Sequence, residues 1–212
     1  MCTSFFIDNS LTEYKDLFAL ARKSATADRF MNYYSKPLKT SGEVRPTDVC
    51  PVIAPDSRGN RAVFAMKWGF TLPNSTQPLV NARVETASIK PTFAESWSRR
   101  RCIIPASCYF EWKHFKTVDG KEKTGDKYLI QPKGDTITWL CGLYRIEGDI
   151  PVFAVLTREP SEEISQIHDR MPLILPESKI DEWITPSVKP DSLLPYALTD
   201  MVMEKADLQV QM

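Results

Sequence analysis

The sequence predicts a single α+β domain built around a mostly antiparallel, barrel-like β-sheet with flanking helices. Seven segments rich in aromatic and β-branched residues lie between a few helix-like segments, which indicates that strands dominate. The segment that contains Cys141 is apolar on both alternating faces, as expected for a strand inside a barrel or between layers. No internal repeat or change in composition divides the 212 residues. We therefore expect residues 1–212 to form one domain.

Four segments predict helices. The first one begins with a capping box from Ser10 to Glu13 and places apolar residues at helical spacing through residues 10–23. The others are residues 91–101, with Pro91 in the first turn, residues 161–168, with acidic residues at the positive end of the helix dipole, and residues 177–184.

Seven segments predict strands, and two segments predict loops. The predicted strands are residues 60–70, 78–86, 101–105, 108–115, 126–132, 136–146 and 150–157. Residues 117–126 form a charged, hairpin-like loop, and the proline-spaced residues 34–60 are expected to wrap the surface.

Composition limits the possible partners and compartments. The 27 basic and 27 acidic residues cancel, so any contact with nucleic acid must come from a local cluster of charge. Five cysteines without close pairing, and no apolar leader, predict a reducing, cytoplasmic setting. The apolar runs are too short to span a membrane. We expect a monomer, because no stripe of exposed apolar residues is evident.

Cys2 is the most reactive side chain near the start of the chain. When the second residue is small, the initiator methionine is normally removed, and Cys2 would then carry a free α-amine beside its thiol. The two groups have pKa values of about 8 and about 8.5, so each supplies some of its nucleophilic form near neutrality. The amine condenses with an aldehyde to an imine, and the thiol closes the imine to a thiazolidine. The alternative is an incidental small residue.

Three polar groups are candidates for supporting such chemistry. Asn81, Arg83 and Glu85 share one face of a predicted strand, which is either a functional face or a solvated one. Glu111 lies among aromatic residues on another strand, where partial burial would raise its pKa and suit proton transfer. The alternative is an exposed glutamate beside Lys113.

His168 is the third candidate. It ends the third predicted helix and is one of two histidines in the chain. Imidazole is the side chain best suited to move protons at neutral pH, although a lone histidine also serves as a helix cap.

The motifs NARVET, FEW and HDRMPLIL, in this order after a cysteine at position 2, closely resemble those of the SRAP family, the SOS-response-associated peptidases. The resemblance runs from Cys2 to about Leu175. It implies covalent trapping of abasic sites in single-stranded DNA, with no cofactor and no metal. The initiator methionine would be lost by the protein's own action, and Cys2 would form a thiazolidine with the ring-opened deoxyribose. The protein would associate with the nucleoid through DNA.

The resemblance also implies a role for each catalytic residue. Cys2 would be the nucleophile through its amine and thiol, and Asn81 would orient the N-terminus. Glu111 would transfer protons around the amine and the opened sugar. His168 would act on the sugar hydroxyl and assist reversal of the crosslink, which is consistent with a carboxyl and an imidazole of separated pKa values.

In the same scheme a set of basic and apolar residues contacts DNA. Arg83 and Arg170 would bind phosphates. The side chains expected to stack on or wedge between bases are Trp68, Phe70, Trp112, Met171 and Pro172, with core packing as the alternative for the two tryptophans. Residues 99–101, three consecutive arginines, would extend a basic track or form a solvated helix end.

Three segments depart from the family pattern. Thr3 and Ser4 replace a Gly-Arg pair that usually follows the cysteine, which removes one phosphate contact. Residues 49–55 match an Asn-Val-Ala-Pro segment only distantly, and residues 199–212 differ from the usual basic tail. These departures predict a divergent member of the family that keeps the reaction at Cys2 and contacts DNA differently.

Two other classes of function remain open. A cysteine peptidase acting on other proteins would use Cys2 or Cys108 as nucleophile, with His168 as base and Asn81 as orienter. A noncatalytic binding module would hold zinc through Cys102, Cys108 and His114, although their spacing is poor for a tetrahedral site.

Overall fold

The computed structural model describes residues 2–117 and 119–206. The strands are β1 (Ser4–Ile7), β2 (Gly42–Val44), β3 (Val49–Pro55), β4 (Arg61–Trp68), β5 (Phe70–Leu72), β6 (Ser75–Leu79), β7 (Asn81–Arg83), β8 (Arg101–Ala106), β9 (Cys108–Lys116), β10 (Glu122–Pro132), β11 (Thr138–Glu147), β12 (Ile150–Arg158), β13 (Met171–Pro172) and β14 (Met201–Lys205). The α-helices are α1 (Thr12–Arg22), α2 (Ala25–Tyr34), α3 (Val84–Ala87), α4 (Ala94–Arg99), α5 (Glu162–Ser165) and α6 (Ile180–Ile184).

Five strands close into a barrel at the centre of the fold. Strands β11, β8, β3, β4 and β12 are hydrogen-bonded in that order. Strand β12 then pairs with β11 through a six-residue ladder, from Gly142 opposite Val155 to Glu147 opposite Ile150, which closes the ring. Strands β4 and β12 run parallel, whereas the other neighbours in the ring are antiparallel. The predicted α+β fold with a barrel-like core is therefore confirmed.

Three barrel strands are buried on both faces over most of their length, and for β11 the sequence predicted this. Residues 150–157 of β12, all of β8 and the first six residues of β11 are buried. One face fills the barrel and the other lies under the outer elements. At Gly142 a Cβ atom would lie 2.7 Å from Ile104 Cδ1 and 3.0 Å from the Ala154 carbonyl oxygen. The strands therefore approach each other here too closely to admit a side chain.

A second sheet and two short strands bring distant segments together beside the barrel. The second sheet has the order β14-β10-β9-β1-β2, so β1 lies in its interior, with Ser4 opposite Phe110 of β9. Strands β7 and β13 both attach to β12. This topology places the start of β1, the start of β7, the middle of β9 and the segment before β13 near one another.

The first helix and its neighbour differ from the sequence prediction in detail. Helix α1 lies within the predicted segment, but Leu11 is its N-cap residue and contributes no side-chain cap. The capping box was wrong, because Ser10 instead donates its backbone N–H to Asp8 Oδ1 at 2.9 Å in a local turn. Helix α2 was not predicted, although Ser24 caps it by accepting from the Ala27 N–H at 3.3 Å.

The remaining predicted helices are confirmed but short. Helices α4, α5 and α6 each fall within a predicted segment, and α5 comprises four residues. Pro91 precedes α4 instead of lying in its first turn. Within the described ranges, each helix is too short or too polar to cross a lipid bilayer.

Residues 34–60 do not simply wrap the surface, which corrects the sequence prediction. They contain β2 and the barrel strand β3, whose residues are buried up to Ala54. The prolines in this segment argued against a central strand, because proline has no backbone N–H to donate to a neighbouring strand. On one side β3 pairs with β8 through a single register pair, Ile53 with Ile103, so the ladder there is short enough to accommodate Pro51.

Three other predicted segments are partly revised. The predicted strand through residues 78–86 ends at Arg83, and Glu85 belongs to α3, so Glu85 does not share a strand face with Asn81. The charged loop is the tip of the β9–β10 hairpin, with β10 beginning at Glu122, and Val118 lies outside the described residues. Part of the divergent tail forms β14 against β10, and residues 207–212 lie outside the described part.

Arg101 is a structural residue and not part of an exposed basic track. Its side chain is 1% exposed. The guanidinium donates to five backbone carbonyl oxygens, those of Trp97, Ser98, Trp183, Thr185 and Val188. Arg101 thereby ties β8 to α4 and to the segment that follows α6.

Candidate active site

Cys2 lies just before β1 and is held in place although it is next to the chain start. Its side chain is 1% exposed. Asn81 donates a hydrogen bond from Nδ2 to the Cys2 carbonyl oxygen at 2.8 Å. Because β1 is paired on both sides and Asn81 belongs to a ladder with β12, this bond anchors the chain start to the barrel wall. Met1, whose removal the resemblance implies, lies outside the described residues.

The Cys2 thiol is held in its protonated form. Burial raises the pKa of this thiol far above its ordinary value, and the negative charge of Glu111 raises it further. The sulfur lies 3.6 Å from the Ser4 carbonyl oxygen, to which it donates a weak hydrogen bond. A thiol in this state is a poor nucleophile until its target has been activated by another group.

Glu111 is a buried carboxyl group in the middle of β9. Its exposed fraction is 2%, and burial raises the pKa of its carboxyl group above the ordinary value. Burial of Glu111 is therefore confirmed, and the alternative of an exposed residue beside Lys113 is wrong. A carboxyl group with a raised pKa can both donate and accept a proton closer to neutrality.

His168 follows α5 in the loop that leads to β13, with Nε2 directed at Glu111. His168 Nδ1 lies 3.0 Å from the Arg170 backbone N–H and 2.8 Å from Asp169 Oδ1, a donor and an acceptor that favour opposite tautomers of the neutral imidazole. Nε2 lies 3.5 Å from Glu111 Oε1. Burial lowers the pKa of His168, which favours this neutral form. His168 and Glu111 are therefore placed to exchange a proton.

The four residues predicted to be catalytic meet at one place. Cys2 contacts Asn81, His168 contacts Glu111, and Glu111 is near enough to Cys2 to act on its pKa. They come from four separate segments of the chain. A thiol, a carboxyl group and an imidazole within one partly enclosed site can combine nucleophilic attack with proton transfer.

Asn81 offers a second polar atom to the site. Its side chain is 8% exposed, and Nδ2 is used by Cys2. Oδ1 is buried and has no hydrogen-bond partner among the described residues. A buried acceptor without a partner is costly, so this oxygen is suited to accept from a group that enters the site.

Arg83 remains a candidate phosphate contact. It lies two residues beyond Asn81 on the same short strand and is exposed. In the described part of the chain its guanidinium forms no ion pair within 4.0 Å. The side chain is thus available at the rim of the site, and its role stays a prediction.

Two of the aromatic residues predicted to stack on bases are core residues. Trp68 and Phe70 are both 0% exposed. The Trp68 ring stacks on Phe153 at 6.0 Å between centroids, and its Nε1 donates to the Val80 carbonyl oxygen at 3.0 Å. Gly69 between them makes the predicted bend, with φ of 114°. The stacking prediction for Trp68 and Phe70 was wrong, because base contact would require unpacking the core.

The residues around the HDRMP motif also need correction. Met171 and Pro172 are buried in β13, so they cannot wedge between bases. Arg170 is 8% exposed, and it donates to both carboxylate oxygens of Glu85 at 2.9 and 2.8 Å and to the Thr157 carbonyl oxygen at 2.8 Å. Because its guanidinium is committed to these internal partners, the predicted phosphate contact was wrong.

Trp112 differs from the other aromatic candidates because it is only half-buried. Lys127 lies opposite it on β10, with Nζ 5.1 Å from the centre of the Trp112 ring and 3.8 Å from that of Phe110. Lys127 Nζ also donates to Glu43 Oε1 at 2.9 Å, so its charge is paired inside the protein and the half-buried Trp112 ring is what remains for a stacked base. Sequence reasoning did not identify Lys127, because its position opposite Trp112 follows from the strand register. Base stacking by Trp112 stays a prediction.

His114 also lies near the site, whereas the sequence suggested it only as a zinc ligand with Cys102 and Cys108. Its ring lies 5.4 Å from that of His168, nearly perpendicular to it. Its ligand atom and those of Glu111 and His168 all lie within 4.8 Å of one another. The zinc alternative with Cys102 and Cys108 is wrong, because among the described residues His114 is grouped with Glu111 and His168 instead.

Comparisons with known proteins identify relatives along the whole chain. The family model described as SOS response associated peptidase (SRAP) matches residues 1–211. Abasic site processing protein YobE of Bacillus subtilis is 34% identical over 176 residues, which are 76% of this chain and 78% of that protein. Abasic site processing protein YoaM of the same organism is 31% identical over 216 residues, covering 95% and 88%.

The fold also has a counterpart among solved structures. A crystal structure of a protein from Bacteroides thetaiotaomicron superimposes with a TM-score of 0.72 and 21% sequence identity, covering 98% of this chain and 93% of that one. At this identity the similarity concerns the fold, and it agrees with the barrel described above.

Proposed function

Because the chain belongs to the SOS response associated peptidase (SRAP) family, we propose that it processes abasic sites in single-stranded DNA and captures them covalently through Cys2. The observation that carries the proposal is the convergence of Cys2, Asn81, Glu111 and His168 at one site. The names of the relatives YobE and YoaM, which are called abasic site processing proteins, support the same substrate class.

The first step is removal of Met1. Hydrolysis of the Met1–Cys2 peptide bond consumes one water molecule, releases methionine and leaves a free α-amine on Cys2. The hydrogen bond from Asn81 to the Cys2 carbonyl oxygen supports this step, because it fixes the residue whose amine is released. The step is a self-processing hydrolysis by the protein's own site, in keeping with the family description as a peptidase.

The second step is attack of the Cys2 amine on the aldehyde carbon of the ring-opened deoxyribose. The nitrogen–carbon bond forms, and the resulting carbinolamine loses water to give an imine. Departure of the hydroxyl group requires a proton, and the raised pKa of Glu111 supports its role as the donor. The buried Oδ1 atom of Asn81 is suited to accept a hydrogen bond from the bound sugar or the amine.

The third step closes the ring. The Cys2 sulfur adds to the imine carbon, the thiol proton is transferred to the nitrogen, and a thiazolidine results. One water molecule is lost between aldehyde and thiazolidine. The raised pKa of the thiol supports this order, because a protonated thiol is a weak nucleophile towards an aldehyde but adds to the more electrophilic imine.

His168 acts on the sugar hydroxyl group and assists reversal. With Nε2 3.5 Å from Glu111 Oε1 and its pKa lowered by burial, the neutral imidazole exchanges a proton with the carboxyl group and with a substrate hydroxyl. Arg83 binds a phosphate of the strand, and the half-buried Trp112 ring supports a neighbouring base.

The rival function, cleavage of other proteins by a thiol peptidase, is less well supported. Such peptidases hold their cysteine as a thiolate paired with imidazolium. Here burial raises the pKa of the Cys2 thiol and lowers the pKa of His168, so both groups are held in their neutral forms.

The direct test is incubation of the purified protein with a single-stranded oligonucleotide that carries one abasic site. We expect a covalent adduct that survives denaturing electrophoresis, and its loss in Cys2→Ala. Cys108→Ala is the matched control, because Cys108 is also a buried thiol, with 2% exposure. Cys2→Ser should retain an imine that borohydride traps. Cleavage of peptides without any reaction with DNA would support the peptidase instead.

A further inference from the structure

We propose that Glu111, His114 and His168 form a binding site for a divalent transition metal, best matched by Zn²⁺, and that the bound metal blocks the reaction at Cys2. The proposal that the metal binds is based on the positions of the three side chains. The proposal that the bound metal inhibits the reaction at Cys2 rests on the proposed function.

The three side chains supply a donor set that suits zinc. They offer one carboxylate oxygen and two imidazole nitrogens, all within 4.8 Å of one another. Two histidines with one carboxylate are a recurrent metal-binding set, and zinc binds these ligands at about 2.0–2.2 Å. Small rotations about the side-chain bonds bring the donors to the shorter separations that a bound ion requires. A fourth position is left for water.

The backbone brings the two histidines together. His114 and His168 are the two histidines of the whole chain. The His114 N–H donates to the Ile167 carbonyl oxygen at 3.2 Å, which fixes the loop that carries His168 against β9. Strict alternation along β9 would put His114 and Glu111 on opposite faces. The ligand atoms of these two residues and of His168 nevertheless lie within 4.8 Å of one another, where the β9–β10 ladder is irregular, with a register shift between Thr124 and Lys127.

Asp169 supplies the outer support that a metal-binding histidine normally has. When Nε2 of His168 binds a metal, Nδ1 carries the proton of the neutral ring. Asp169 Oδ1 lies 2.8 Å from Nδ1 and is placed to accept that proton's hydrogen bond. This carboxylate–histidine–metal arrangement orients the ring and strengthens binding. Nδ1 already faces both this carboxylate at 2.8 Å and the Arg170 N–H at 3.0 Å.

Occupancy of the site would inhibit the proposed reaction. The ion would use Nε2 of His168 and a carboxylate oxygen of Glu111, the same two groups that exchange protons with the sugar and the amine. His114 has no role in that reaction, so its removal separates metal binding from the chemistry. The exposed side chain of His114 also makes its replacement safe for the fold.

The experiment measures Zn²⁺ binding by isothermal titration calorimetry, with Mg²⁺ as the control ion, and the crosslinking rate with Zn²⁺ present. The variants are His114→Gln, Asp169→Asn, and Lys113→Gln as the control on the same strand. We expect one site for Zn²⁺ and none for Mg²⁺, at least tenfold weaker binding in His114→Gln, and about 10–100-fold weaker binding in Asp169→Asn. Zn²⁺ should stop crosslinking by the wild-type protein and Lys113→Gln, and a chelator should restore it.

Each failure has a distinct meaning. Equal Zn²⁺ binding by wild-type protein and His114→Gln, or no binding, would overturn the metal site and leave the proposed function intact. Zn²⁺ binding that depends on His114, with crosslinking that continues at full occupancy, would overturn the blocking role. If no variant crosslinks DNA under any condition, the proposed function fails, while the calorimetry still decides the metal site. Circular dichroism with Zn²⁺ excludes binding by cysteines of unfolded protein.

Discussion

Replacement of Asn81 by alanine should slow the capture of abasic sites without unfolding the protein. The change removes the 2.8 Å hydrogen bond from Asn81 Nδ2 to the Cys2 carbonyl oxygen. Cys2 is only 1% exposed, so water does not readily replace the lost donor. Loss of one partner of a buried hydrogen bond costs about 1–3 kcal/mol. If that energy holds the terminus in its reactive position, the crosslinking rate falls by about 5- to 150-fold.

The assay is a single-turnover time course with an oligonucleotide that carries one abasic site, at saturating protein. Asn32→Ala, an exposed asparagine on α2, is the matched control and should react at the wild-type rate. Asn81→Asp should react more slowly still, because a carboxylate would face the Cys2 carbonyl oxygen. A wild-type rate in a folded Asn81→Ala protein would refute the view that this hydrogen bond positions the nucleophile.

Three further variants test other parts of the account. Burial raises the pKa of Glu111 above its ordinary 4.5, so its ionisation destabilises the fold as pH rises above that value. Urea unfolding should therefore show Glu111→Gln to be more stable than wild type at pH 7, with the difference vanishing near pH 4; equal stability at pH 7 would contradict the burial argument. Gly142→Ala should destabilise the barrel by about 1–3 kcal/mol, because its Cβ would lie 2.7 Å from Ile104, and an unchanged melting temperature would show that the strands separate easily. Arg83→Ala should weaken DNA binding and reduce its salt dependence by about one charge in a fluorescence titration; an unchanged salt slope would exclude a phosphate contact.

The seven predicted strand segments and the aromatic neighbours of Glu111 follow from local patterns, whereas the barrel strand β3 was missed because of its prolines. Strand periodicity and aromatic neighbours are visible in the sequence itself. Trp68 and Phe70 were misjudged because an aromatic residue on a strand has the same local pattern whether the sheet face is covered or open. Here Phe153, far along the chain, covers Trp68.

Other errors came from contacts between distant segments. Arg170 has an internal partner in Glu85, 85 residues earlier, and nothing near either residue in the sequence signals that pair. His114 lies close to Glu111 and His168, although strict alternation along β9 would put it on the face opposite Glu111. Helix α2 was missed because few apolar residues define its periodicity, and Phe30 is its buried residue.

The central claim is that a liberated Cys2 amine and its thiol together capture the sugar aldehyde. The most direct test is the intact mass of the purified protein before and after incubation with an abasic single-stranded oligonucleotide. We predict loss of one methionine before incubation, and afterwards an added mass equal to the oligonucleotide minus one water molecule. Retention of Met1 in every molecule, together with unmodified protein after incubation, would contradict the claim.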